Sequence, residues 1–330
     1  MRTILFVAHG SGVRCGGYDF GKRWLSHIQN TEKYTWIYAE VNNLAEFDAK
    51  YREVSPDAVI FNFVPIAMGW VSSLVGEVLD RYPVPRIVME HNWSEGIVST
   101  TLNNHFPTFT YLMMSDPSFT VADSRVFNFS RPLHAFTPEE LHLDPTEEVR
   151  IGSFGFALPH KNFPLLVREV NRTFENATLN LHVTAPTFGE PLLEPIMAQC
   201  RAEITKPGIK LNHTSDFCSE EEAISRLSKN HINALFYMVP DHNSGLSSSM
   251  DFFLAAQRPM LLSDCAVFNH LRSVMCQYPQ ATFTDMLGNL AHIETAVQDY
   301  YQSLRGQLNS EAETMMDSVF LQGAQPVQQS

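Results

Sequence analysis

Cysteine is scarce. The 330 residues hold five, Cys15, Cys200, Cys218, Cys265 and Cys276, scattered and without a C-x-x-C pair. Neither a disulfide framework nor a zinc cluster fits such spacing, and a reducing cytoplasm is the expected home. No apolar run reaches transmembrane length. The start at residues 3–8 passes at once into His9-Gly10-Ser11-Gly12, as a first strand would and a signal peptide would not. Positive charge is also short: 23 Lys and Arg stand against 36 Asp and Glu, a formal net charge of −13. That balance disfavours nucleic acid and anionic lipid surfaces as partners. Several catalytic signatures are missing. There is no Asp-x-Asp, no His and acid cluster at metal-ligand spacing, no Walker loop, no G-x-S-x-G elbow and no strict G-x-G-x-x-G. Kinase, hydrolase and dehydrogenase readings lose support, and no metal or cofactor site is expected.

What is present is alternation. Strand signals at 3–8, 34–39, 58–64, 86–90 and 109–113 are separated by helical patterns near 19–28, 46–52 and 71–81. A proline- and acid-rich stretch, 127–148, reads as a link. A second series follows, with strands at 149–154, 180–184, 209–212, 234–239, 259–263 and 281–283. Its first helix is marked by the apolar stripe Phe163, Val167, Val170 and Phe174. The pattern predicts an α/β chain of two Rossmann-like domains facing each other across a cleft, 1–147 and 148–323, with a disordered tail at 324–330.

The chain is organised around Ser244-Gly245-Leu246-Ser247-Ser248-Ser249, between an apolar strand and the helical run from Met250. A helix start there would offer unpaired N–H groups and a positive dipole end to an anion, and Gly245 would let the backbone come close. A plain Ser247 cap is the alternative.

Taken with Ile151-Gly152-Ser153-Phe154-Gly155, Lys161-Asn162-Phe163 and the run from Ala255 to Asp264, this stretch resembles the second domain of GT-B glycosyltransferases, nearest to glycosyltransferase family 4. The glycine loop Cys15-Gly16-Gly17-Tyr18 also falls where that family has one. The resemblance implies a glycosyltransferase, with a nucleotide-sugar donor, UDP- or GDP-linked, in the second domain and an acceptor in the first. Transfer would retain anomeric configuration and need no metal. Lys161 matches the lysine that contacts the donor pyrophosphate, and Ser244, Gly245, Leu246 and Ser247 match the helix start that holds the same group. Gly155, Gly16 and Gly17 belong to the donor-binding set, the last two also compatible with a simple turn. His91, at a strand end, is the candidate for positioning the donor sugar or handling a proton. His9 is a weaker candidate of the same kind, and Trp93 could stack on an acceptor.

The match has departures. Phe156 stands where the family has an arginine, and the usual glutamates are replaced by Asp241 or His242 and by the segment containing Asp251. Asp251 could accept from ribose hydroxyls or simply favour the dipole of its helix. A glycan is the expected acceptor. A modified nucleic-acid base is the other acceptor class, against which the charge argues. The rival functions are a noncatalytic GT-B-like scaffold and a sugar-nucleotide epimerase.

Overall fold

A computed structural model describes residues 1–12, 15–29, 31–91, 109–116, 118–138, 148–186, 192–238 and 246–323. The chain divides into two compact units. One is built on Met1–Pro132, the other begins at Leu133, and the chain re-enters the first at Gly306.

In the first unit, strands β1 (Arg2–Ala8), β3 (Ala58–Asn62), β4 (Arg86–Met89) and β5 (Tyr111–Met114) are almost continuously buried. Parallel strands covered on both faces require such runs. β2 (Tyr34–Glu40) and β6 (Val126–Asn128) form the edges of the parallel sheet β2-β1-β3-β4-β5-β6. Ile4, Phe6, Ile60 and Ile87 pack against Trp24 of helix α1 (Gly16–Ile28). The alternate residues Leu5, Val7, Val59 and Val88 pack on the other face with Phe47 of α2 (Leu44–Val54). This is the period-two rule of a strand applied to both faces.

The second unit holds β7 (Val149–Phe156), β8 (Ala177–Thr184), β9 (Ile209–Thr214), β10 (Ile232–Leu235), β11 (Met260–Ser263) and β12 (Cys276–Tyr278). Its helices, in chain order, are α3 (Phe163–Thr173), α4 (Leu193–Ala202), α5 (Glu220–Ser228), α6 (Ser249–Ala255), α7 (Phe283–Gly288) and α8 (Leu290–Leu304). The parallel order is β12-β11-β10-β7-β8-β9. Order reverses between β7 and β10, and a crevice opens beyond the carboxyl ends of strands at such a switch point.

Several expectations change. The sequence pattern assigns residues 307–323 to the second domain, whereas the last helix, α9 (Gln307–Gly323), packs Leu308, Ala312, Met315, Met316 and Val319 into the core of the first unit. Ser130 ties it there through Gln307 and Glu311. The expected link at 127–148 begins as an edge strand, β6, and its stretch 139–147 lies outside the described residues. The expected helix at 71–81 is instead two 3-10 turns, Gly69–Ser73 and Gly76–Arg81, with Gly76 at φ +53 at the second start. The final strand is Cys276–Tyr278, while Phe283 opens α7 behind a Thr282/Asp285 capping box. Among the described residues no helix is long and apolar enough to cross a membrane. The tail 324–330 lies outside them.

Candidate functional site

At the end of β7, Gly155 adopts φ +141, a conformation that L side chains rarely take. Any Cβ there would also stand 2.2 Å from the Lys161 Nζ. Lys161 sits on a single 3-10 turn, Pro159–Lys161, closed by Asn162 in the left-handed region before α3. Its side chain therefore runs back beneath Gly155. The residue is 6% exposed, and Nζ donates to Ser249 Oγ at 3.4 Å. It also lies 5.4 Å from the Tyr237 ring and 6.0 Å from the Phe156 ring. Among the described residues no carboxylate pairs with it. This ammonium, with three donors, has among the described residues one long hydrogen bond and two ring faces, surroundings in which an anion would be stabilising.

The other side of the switch point is formed by Tyr237, beyond β10, and by the start of α6. Ser247 does not cap that helix, because its hydroxyl lies 3.0 Å from the Tyr237 hydroxyl and Ser248 is the capping position, without a side-chain cap bond. α6 has only 7 residues, so its dipole adds little to the Lys161 charge. His160 adds none: burial, then the charge of Lys161, push its pKa down. Asp251 is wholly buried and has an interaction within the protein. Phe156 meets Phe217 edge-on, and Phe217 is 47% exposed. Leu246 is half-buried; Ser244, Gly245, Asp241, His242 and Trp93 lie outside the described residues.

In the first unit the residues converge at the ends of β1, β3 and β4. Gly16 and Gly17 are not a loop but the first turn of α1, behind the cap Cys15, whose Sγ accepts from Tyr18 N at 3.4 Å. Burial holds the Cys15 thiol up, and Sγ lies 3.4 Å from His9 Nε2. His91 Nε2 stands 2.7 Å from Asn62 Oδ1, and Asn62 Nδ2 donates to the Gly17 carbonyl at 3.0 Å. His91 is half-buried. Burial, then the charges of Arg131 and His9, push its pKa down to about 3.

Sequence reasoning missed Tyr237 and Asn62, and named Ser249 only as the end of the serine stretch without giving it a role. Asn62 had a readable signal, a polar residue closing the apolar run Val59-Ile60-Phe61. A separate cavity of about 630 Å³ lies over β8 and β9, lined by residues such as Arg150, Asn180, His182, Lys210 and Arg226. Its charges are largely paired, Lys210 with Glu148 and Arg226 with Glu222, and it includes none of the residues above. We place the candidate site at Lys161 rather than there.

No protein-family model matches the sequence, and no curated protein matches it. Solved structures do. The Anabaena protein HepE in complex with UDP aligns with TM-score 0.64 and 11% identity over 96% of this chain and 100% of its own. The E. coli trehalose-6-phosphate protein bound with UDP-2-fluoro glucose aligns with TM-score 0.61 and 10% identity over 96% and 98%. An α-glucosyltransferase in complex with UDP and a DNA 13-mer containing a HMU base aligns with TM-score 0.54 and 12% identity over 97% and 99%. At such identities the likeness is one of fold. The chain has the GT-B fold, two units each with a six-stranded parallel sheet.

Proposed function

We propose that the protein is a glycosyltransferase that moves a sugar from a UDP-sugar to a hydroxyl of a glycan, with retention of configuration. The observation that carries this reading is the buried Lys161 ammonium, without a described carboxylate, folded under Gly155 at the switch point of the second sheet. Charge grows on the diphosphate as the bond to the anomeric carbon breaks. A fixed cation in a low-dielectric site stabilises that charge more in the transition state than in the ground state. Lys161 has this role, and Ser249 and Ser247, the latter held by Tyr237, are the hydroxyls beside it. The lysine takes the part that a divalent ion has in metal-assisted transfer, so the reaction is proposed to run without metal. UDP is preferred over GDP because the structural neighbours named above carry UDP or a UDP-sugar. In the first unit, His91 meets a sugar hydroxyl.

Two observations favour other readings. The DNA-bound neighbour keeps a modified nucleic-acid base among the acceptor classes, against the net charge of −13. Phe156 in place of arginine favours a noncatalytic relative. A thermal-shift screen against UDP-, GDP-, ADP- and CDP-sugars tests both the function and the base. A rise in melting temperature confined to the UDP compounds, lost in Lys161→Ala, is expected. No shift with any donor, in a protein that is otherwise folded, supports the noncatalytic reading.

A further inference from the structure

Asn62 ends an otherwise apolar strand and has no exposed surface. Its two contacts fix its orientation. The Gly17 carbonyl can only accept, so the Asn62 group 3.0 Å from it must be the NH₂. Turning the amide round would set two oxygens against each other. Oδ1 therefore faces His91 Nε2 at 2.7 Å, and that nitrogen must carry a proton. Space is kept for the arrangement by two glycines one turn apart on α1. A Cβ on Gly21 would stand 2.2 Å from Asn62 Nδ2, and one on Gly17 would stand 3.0 Å from His91 Cδ2.

We propose that Asn62 is a positioning residue that fixes His91 as the neutral Nε2–H tautomer, leaving Nδ1 to accept a hydrogen bond from a substrate hydroxyl. This rests on the reading of His91 as a sugar-facing residue. The groups around His91 agree with a neutral ring. Phe20 packs edge-on at 5.4 Å, Arg131 and His9 oppose protonation, and Glu90 takes its contact at the His91 backbone N–H, 3.1 Å away. A ring so placed accepts a proton poorly and cannot serve as a general acid near neutral pH. Of the two roles open to His91, positioning or proton handling, the arrangement selects positioning. An asparagine that merely tied α1 to β3 would be indifferent to which ring nitrogen carries hydrogen.

The test is histidine-selective ¹⁵N labelling with two-bond ¹H–¹⁵N spectra from pH 5 to 8, the signals assigned by their loss in His91→Gln. The wild type should show His91 as a single Nε2–H tautomer that does not titrate in that range. Asn62→Leu should give a tautomer mixture. Asn62→Asp, which puts a carboxylate beside the ring, should bring its titration into the range and carries the comparison if the leucine variant does not fold. A wild-type Nδ1–H tautomer, an imidazolium at pH 6, or an unchanged tautomer in Asn62→Leu overturns the proposal. Where the variant folds, UDP-glucose should bind about tenfold more weakly to it while UDP alone binds as before. If neither compound binds the wild type, the donor reading fails, and the spectra still decide the tautomer.

Discussion

Among the described residues, the buried Lys161 ammonium meets one hydroxyl at 3.4 Å and two ring faces. Removing an uncompensated buried charge relieves a desolvation penalty. Lys161→Met should therefore leave the free protein as stable or raise its melting temperature by about 2 °C, roughly 1 kcal/mol, in a thermal scan. A large fall would mean that the lysine is structural. Gly155→Ala acts in the opposite sense. It meets both a positive φ of +141 and the ammonium 2.2 Å away, and should cost about 1–3 kcal/mol in denaturant titrations. His91 links residue chemistry to pH. Its folded pKa lies near 3, below its ordinary value of 6.5, so the unfolded chain binds a proton that the native state refuses. Stability should fall as pH drops below about 6.5, by about 2 kcal/mol between pH 7 and 5, and His91→Gln should flatten that slope in paired urea titrations. Lys161 and Gly155 were legible in sequence because they lie close together in the chain and after a strand. Asn62 was not singled out because its partners, Gly17 and His91, are remote in sequence and meet it only once β3, β4 and α1 are assembled.

Elements were legible to the extent that burial wrote them. The apolar runs of β1 and β3 announce strands covered on both faces, and the stripe of α3 announces a helix on a sheet. Two kinds of element escaped. The 3-10 turns at Gly69–Ser73 and Gly76–Arg81 carry apolar residues near helical spacing, and Gly76 at φ +53 is what separates them. The amphipathic pattern of α9 shows that it needs a sheet but not which one, because either core offers an apolar surface. Its packing makes a direct prediction. Met316 is fully buried among first-unit residues, so Met316→Ala should cost about 2–5 kcal/mol in chemical denaturation. A change within 0.5 kcal/mol would place α9 elsewhere. The Thr282 cap of α7 is a smaller case, and Thr282→Ala should cost about 1 kcal/mol.

At the scale of the molecule, two parallel sheets, each with a switch point, supply two sets of strand ends. The second unit carries the cation and the hydroxyls; the first carries His91 with its Asn62 support. The fold class could be read from alternation alone, since five strand signals in the first series and six in the second leave little but parallel sheets. The acceptor could not, because specificity resides in side chains at strand ends, not in the strands. The net charge of −13 predicts that unmodified duplex DNA is not retained at low salt, as an electrophoretic shift assay would show; tight salt-dependent binding would restore the nucleic-acid reading. The central claim is that Lys161 holds a nucleotide-sugar diphosphate. Calorimetric titration of UDP-glucose into the wild type and into folded Lys161→Met tests it most directly. The account predicts saturable binding to the wild type and a loss of affinity of at least about tenfold in the variant, the share of one charged hydrogen bond. Equal binding to both proteins, or none to the wild type, would contradict it.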